Sequence, residues 1–166
     1  MLTIIGCGNL NRSDDAVGVL VAQRLQQQLS EHPLARVQVF DCGTAGVEVM
    51  FRARGSEELI VIDASNTNSE PGAIYQVPGE VLARLPEPSY NLHDFRWDHA
   101  IAVGQRIYKD SFPTSVTVYL IEAQTLDFGW DLSPAVATAA DRVFELVCNQ
   151  SQDYARGLTD ARSVSA

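Results

Sequence analysis

LTIIGCGNLNRSDDAVGV, residues 2–19, contains the first sequence signals from which the fold of this chain is predicted. It opens with a short apolar run rich in β-branched side chains, which predicts a buried β-strand ended by glycine. The following GCGN resembles the start of a nucleotide-binding loop, but Asn11 stands where a third glycine is expected. Asp14 and Asp15 then arrive at the predicted start of a helix. Because two carboxylates repel a pyrophosphate, this loop indicates a different ligand.

Composition limits the classes of protein to consider. The chain has 166 residues, 46% of them hydrophobic, which suits one globular domain. A formal net charge of −9 argues against nucleic acid and anionic membranes as partners. Three cysteines without a CxxC pair argue against a disulfide framework and predict a cytoplasmic protein. We expect neither a signal peptide nor a membrane span, because no apolar run approaches the ~20 residues that a span needs.

Predicted strands and helices alternate along the chain. A helix is expected over residues 14–29 with Ser13 as its N-cap, and the last helix is expected to start at Pro134 with Ser133 as its cap. Other strands are predicted at residues 36–41, 59–63, 72–78 and 115–121, and other helices at 45–53 and near 93–109.

This alternation predicts an α/β three-layer sandwich, in which helices flank a twisted, mostly parallel or mixed sheet of about five strands. A single domain is expected over residues 1–150, followed by a polar C-terminal tail over 151–166.

Acidic residues follow three of the predicted strands. Asp14 and Asp15 follow the first strand, Asp41 ends the second and Asp63 ends the third. Because ligands in such sheets bind at the carboxyl ends of the strands, these side chains should converge there. Crowded carboxylates need a cation or a proton to offset their repulsion. Each residue also has a structural explanation, at a helix N-terminus for the Asp14–Asp15 pair and in a cap or turn for the other two.

The histidines complete the set of candidate ligands. His93 opens a predicted helix and can point back toward the sheet edge, whereas His32 precedes a proline in an exposed connection. His99 is expected to pack or to face solvent. Two carboxylates with one imidazole suit Zn²⁺, Ni²⁺ or Mn²⁺ and leave positions for water or substrate.

Several blocks of the sequence, in this order and spacing, resemble the maturation proteases of [NiFe] hydrogenases. They are GCGNLNRSDDAVGV, DCGTAG at 41–46, LIVIDA at 59–64 followed by PGAIYQV, LHDF at 92–95, and YLIEAQTLDFGWDLSPAV. The family fold, a twisted sheet of about five strands flanked by helices, agrees with the predicted sandwich. The chain departs from the family pattern at Ala16 and Cys42, where many members have glycine.

The resemblance implies an endopeptidase that removes the C-terminal tail of the [NiFe] hydrogenase large-subunit precursor after nickel insertion. The nickel would be recognised in the substrate, although another divalent metal could bind to the isolated protein. The precursor would be the partner of a monomeric protease. The resemblance assigns catalysis and metal binding to Asp15, Asp63 and His93, and substrate binding to Asp41, Gly43 and Thr44.

Some alternatives stay open. Because the two aspartates are adjacent, Asp14 is an alternative to Asp15. Because a second histidine lies on the same predicted helix, His99 is an alternative to His93. No HExxH or aspartic-protease Asp-Thr-Gly motif is present in the sequence. Our hypothesis for the chemistry is attack by water on a metal-polarised amide, with Asp63 or Asp41 as general base. The competing functions are a nucleotide-binding protein, a non-catalytic metal-binding assembly protein or chaperone for hydrogenase, and a general peptidase.

Overall fold

The structure is a computed structural model that describes residues 1–79 and 96–157. Its strands are β1 (Leu2–Cys7), β2 (Val37–Gly43), β3 (Glu58–Ser65), β4 (Ile74–Pro78) and β5 (Ser115–Glu122). Its α-helices are α1 (Val17–Glu31), α2 (Gly46–Ala53), α3 (Trp97–Tyr108) and α4 (Pro134–Ala155). Short 3-10 turns at Ser13–Ala16 and Lys109–Ser111 precede α1 and follow α3.

The strands form one sheet in the order β2-β1-β3-β5-β4. Strands β2, β1, β3 and β5 are parallel to one another, and β4 pairs antiparallel with β5 at one edge. Every residue of β1 is buried, as are the six central residues of β3, because helices cover both faces of these inner strands. The predicted mixed α/β sheet is therefore confirmed.

Two hydrophobic clusters lie on opposite faces of the sheet. On one face α1 packs against α4, and Ile4 and Ile62 contribute from the strands. On the other face α2 packs against α3, and Ile5 and Val61 contribute from the strands. Because neighbouring residues of a strand point to opposite faces, the apolar runs of β1 and β3 supply both clusters. The result is the expected three-layer sandwich.

Helix α1 lies in direct backbone contact with the sheet. A Cβ atom added at Gly6 would lie 2.2 Å from the carbonyl oxygen of Gly18. A Cβ atom added at Gly18 would lie 2.2 Å from the Ile62 carbonyl oxygen and 2.4 Å from that of Cys7. These two glycines therefore fix how closely α1 approaches β1 and β3, and with it the path of the intervening turn.

The structure corrects two predictions about helix caps. The helix expected from residue 14 begins as the 3-10 turn, and α1 proper starts at Val17. Ser13 does not cap it, because its hydroxyl donates to the Asp127 carbonyl oxygen at 3.1 Å. Ser133 is the N-cap residue of α4, as predicted, but its hydroxyl donates to Asp14 and makes no capping bond to its own helix.

The last helix also continues beyond residue 150, where a polar tail was expected to start. Helix α4 runs to Ala155, and both Ser151 and Tyr154 are buried. Tyr154 packs on the apolar face of the helix and donates its hydroxyl hydrogen bond to Glu57. Among the helices of the described ranges, none combines the length and apolar character that a membrane crossing requires.

We predict that Gly18→Ala lowers the free energy of unfolding by at least about 2 kcal/mol, because its new methyl group would overlap backbone atoms that cannot move independently. Urea denaturation followed by circular dichroism measures the change. The matched control is Gly55→Ala: no atom lies within 4 Å of its added Cβ, so only its positive φ of 79° should cost about 1 kcal/mol. Equal losses in the two variants would contradict the close-contact account.

Candidate active site

An open cavity of about 520 Å³ lies at the carboxyl ends of the parallel strands. The turn after β1, the end of β2 and the loop behind it, and the end of β3 with its following loop form most of the wall. Arg96 and Trp97 at the start of α3, Leu120 of β5, and Leu126 from the loop between β5 and α4 also line the cavity. The cavity is thus at the edge where ligands bind in open α/β sheets.

Asp63 lies at the inner wall of this cavity and is only 8% exposed. Its Oδ1 accepts a hydrogen bond from the Ala64 backbone N–H at 2.9 Å, and its Oδ2 accepts one from Trp97 Nε1 at 2.7 Å. Burial raises the pKa of Asp63 to about 6, although these hydrogen bonds and the Arg96 guanidinium lower it. The carboxylate is therefore mostly ionised at neutral pH and can still accept a proton.

Asp15 lies on the same cavity and is half-buried. Burial raises its pKa, whereas a hydrogen bond from the Asn9 backbone and the positive charges of Arg12 and Arg96 lower it. The negative charge of Asp15 contributes to the raised pKa of Asp63, so the two carboxylates interact through the cavity. The carboxylates of Asp15 and Asp63 are poorly hydrated and repel each other. A divalent cation bound between them would offset both unfavourable energies.

Asp14 points into the protein and has a structural role. It is fully buried, and its Oδ2 accepts hydrogen bonds from the backbone N–H groups of Gln124 and Thr125 at 2.9 and 3.0 Å. The N–H of Ser133 donates to Oδ1 at 2.7 Å, and the Ser133 hydroxyl donates to Oδ2 at 3.0 Å. Asp14 therefore holds both ends of the β5–α4 loop, and of the aspartate pair Asp15 faces the cavity.

The predicted substrate-binding residues divide into two groups. Gly43 and Thr44 line the cavity, whereas Asp41 is exposed and lies outside the described lining. The Asp41 carboxylate accepts hydrogen bonds from the Gly43 N–H at 2.9 Å and from Gln23 Nε2 at 3.0 Å. Gly43, with a φ of +49°, in turn accepts a hydrogen bond from the Gly8 N–H. In this structure Asp41 stabilises the turn that carries Gly43, and its role in substrate binding stays a prediction.

The two histidine candidates differ in what the structure says of them. His93 lies outside the described residues, so its place in the site stays a prediction. His99 is half-buried on α3 and is not among the described residues that line the cavity. Within residues 1–79 and 96–157, no three histidine, cysteine or acidic side chains converge closely enough to hold a metal ion. A third ligand would have to come from the substrate or from outside these ranges.

Several cavity features did not stand out as site residues in the sequence. The sequence pattern places Trp97 only within a predicted helix, yet its indole N–H donates to the Asp63 carboxylate. The neighbouring Arg96 supplies positive charge that lowers the pKa of both cavity aspartates. Both contacts join distant parts of the chain, so helical periodicity could not reveal them.

The loop after β3 forms a polar wall of the cavity, and Glu122 holds it in place. Glu122 is fully buried at the end of β5 and accepts hydrogen bonds from the Ser65 hydroxyl at 2.8 Å and the Thr67 N–H at 2.7 Å. The Thr67 hydroxyl and the Ser69 N–H donate to it at 3.0 and 3.1 Å. An acidic residue at the end of the apolar strand SVTVYLIE was the available signal in the sequence.

Cysteine chemistry is not supported by this site. Cys7 lines the cavity, but burial raises its pKa well above the usual value. Burial likewise raises the pKa of Cys42 to about 12. Because the thiolate is the nucleophilic form, neither side chain is activated for attack at neutral pH.

Comparison with known proteins shows that most of the chain is similar to hydrogenase maturation proteases. The sequence profile of the hydrogenase maturation protease family matches residues 19–150. A putative hydrogenase maturation protease of Methanocaldococcus jannaschii is 26% identical over 157 residues, covering 90% of this chain and 95% of its own. The hydrogenase 2 maturation protease of Escherichia coli is 24% identical over 149 residues, covering 88% and 87%.

Solved structures share the fold. The hydrogenase-maturating endopeptidase HybD of Escherichia coli superposes with a TM-score of 0.73 at 22% identity, covering 92% of this chain and 93% of its own. The [NiFe] hydrogenase maturation protease HycI of Thermococcus kodakarensis gives a TM-score of 0.70 at 20% identity, covering 91% and 92%. The α/β sandwich is thus common to all three proteins.

We predict that Asp14→Ala destabilises the fold by about 3 kcal/mol or more, because it leaves the donors of the β5–α4 loop without a charged acceptor. The measurement is urea denaturation. The neighbouring Asp15→Ala provides the control and should cost less than about 1 kcal/mol, since its carboxylate is half-buried and carries a desolvation penalty. A larger loss for Asp15→Ala than for Asp14→Ala would reverse the assignment of the two residues.

Asp63 should make the unfolding free energy depend on pH. Its folded pKa of about 6 lies above the ordinary 3.8, so its ionisation opposes folding. This contribution to stability is complete below about pH 4 and is lost as the pH rises to about 6. In chelator-treated protein, Asp63→Asn should therefore gain about 2 kcal/mol relative to wild type between pH 4 and pH 7, since each pKa unit is worth about 1.36 kcal/mol and part of the change falls below pH 4.

Denaturant titrations of both proteins at several pH values measure this difference. The hydrogen bond that the amide loses lowers the stability of the variant by the same amount at every pH, so it does not affect how the difference changes with pH. A stability difference that stays constant over this range would show that the Asp63 pKa is not raised.

Proposed function

The chain belongs to the hydrogenase maturation protease family and is a peptidase, and we propose that it removes the C-terminal tail of a [NiFe] hydrogenase large-subunit precursor after nickel insertion. The observation that best supports the proposal is the pair of desolvated carboxylates, Asp15 and Asp63, on one open cavity. The cavity is open and has a volume of about 520 Å³, and its two carboxylates favour a substrate that brings a cation.

Nickel recognition follows from the cost of leaving these two carboxylates ionised and poorly hydrated. Each of the two Asp63 oxygens uses one lone pair on a protein donor and keeps another for a ligand. A nickel ion already held by the substrate would offset the repulsion between Asp63 and Asp15, whereas a nickel-free substrate would not. His93 is the proposed third contact. Binding would thereby report that nickel insertion is complete.

Asp63 is also the proposed proton acceptor for the attacking water. In the metal-free protein its pKa of about 6 keeps the carboxylate ionised at neutral pH, in the form that can accept a proton. Trp97 orients the carboxylate through its hydrogen bond to Oδ2. Asp41 is less suited to this role, because it is exposed and does not line the cavity in the described part of the chain.

We expect mass spectrometry to show that the wild-type protein shortens the nickel-loaded cognate precursor and leaves the nickel-free precursor intact. Asp63→Asn should reduce the cleavage rate by about 10²-fold or more, because the amide is neutral and a poor base. The matched control is Asp141→Asn, which alters a surface ion pair with Arg24 and should retain the wild-type rate. Efficient cleavage of the nickel-free precursor would contradict the role of nickel, and normal cleavage by Asp63→Asn would contradict the role of Asp63.

A further inference from the structure

Two aromatic side chains project into solvent from the loop at residues 123–133, between β5 and α4. Phe128 is 81% exposed and Trp130 is 82% exposed, more than any other large apolar side chain in the described part of the chain. Leu10, in the turn after β1, is exposed as well. Single exposed apolar residues are common, but two fully exposed aromatic rings on one loop indicate a surface that binds a partner.

The loop that carries these rings is rigid. Besides the hydrogen bonds to Asp14, Gly129 accepts a backbone hydrogen bond from Ser13 at 2.9 Å and donates one to Asn11 at 3.1 Å. A Cβ atom added at Gly129 would lie 2.5 Å from the Ser13 hydroxyl oxygen, so the loop sits tightly against this turn. The aromatic side chains are therefore presented by an ordered backbone, which lowers the entropy that a partner must overcome on binding.

The exposed rings lie on the same loop as Leu126, which contributes to the cavity wall. Leu126 lines the cavity, and Phe128 and Trp130 follow it two and four residues later. Arg12 connects these positions, because it donates to the Leu126 carbonyl oxygen and its guanidinium lies 4.7 Å from the centre of the Phe128 ring. A chain segment that enters the cavity past Leu126 and Arg12 would therefore pass the loop that carries both aromatic side chains.

We propose that Phe128 and Trp130 form a docking edge for the precursor, and that they contact apolar and basic residues flanking the scissile bond. This inference rests on the proposed function. Asp127 and Asp131 are exposed beside the rings, which gives an acidic and aromatic surface that suits apolar and cationic side chains. An anionic membrane or a second copy of this chain fits less well, because the protein carries a net charge of −9.

Cleavage kinetics with nickel-loaded precursor test the proposal. Trp130→Ala and Phe128→Ala should each raise KM about tenfold and change kcat less than about twofold, because they remove binding surface away from the reacting groups. Both side chains are exposed, so thermal stability should be unchanged. The control is Ile107→Ala, which removes a 59% exposed side chain from the other end of α3 and should leave KM unchanged.

A photo-crosslinking experiment identifies the occupant. Trp130 is replaced by p-benzoylphenylalanine, and the protein is irradiated with the nickel-loaded precursor. We expect crosslinks to precursor residues next to the cleavage site, and none when the same group replaces Ile107. Crosslinks mainly to a second copy of this chain, or unchanged KM values in both alanine variants, would overturn the inference. If the wild-type protein does not shorten the precursor at all, the proposed function fails instead.

Discussion

The backbone contact between α1 and the sheet at Gly6 and Gly18 is the constraint on which the site depends. With no side chain between them, the helix lies directly against β1 and β3. The turn that joins β1 to α1 must therefore pass over the carboxyl ends of these strands. Its two aspartates then have opposite environments, with Asp14 directed inward and Asp15 at the cavity.

The two carboxylates at the cavity are less favourably placed than the carboxylates that only hold the structure together. Burial raises the pKa of Asp63, and the charge of Asp15 raises it further. By contrast, the buried Asp14 and Glu122 are each surrounded by hydrogen-bond donors and hold loops in place. The number of hydrogen-bond donors around each carboxylate thus distinguishes the structural pair, Asp14 and Glu122, from the pair that remains available for a ligand, Asp15 and Asp63.

The regular elements could be predicted from local patterns. Apolar runs located β1, β3 and β5, and Pro134 marked the start of α4, because burial on both faces and a proline at the first helical position leave clear sequence signals. The cap at Ser13 was predicted wrongly, since its hydroxyl bonds to Asp127, 114 residues away. Local sequence does not contain such a long-range partner.

The same distinction applies to the site. The rule for parallel sheets correctly placed Asp15 and Asp63 on one cavity, because it depends only on strand order and direction. It could not separate Asp14 from Asp15, which depends on the β5–α4 loop, nor reveal the hydrogen bond from Trp97 to Asp63 across 34 residues. The nucleotide-binding alternative loses support, because Asp15 lines the cavity beside Gly8, where a pyrophosphate would need to bind.

The central claim is that Asp15 and Asp63 act as a single unit on nickel held by the substrate. A double-mutant cycle measures this most directly, with kcat/KM for the nickel-loaded precursor determined for wild type, Asp15→Asn, Asp63→Asn and the double variant. We expect the losses in kcat/KM to be strongly non-additive, so that the double variant is scarcely slower than the slower single variant. Losses that simply add in free energy would show that the two carboxylates act independently and would contradict the claim.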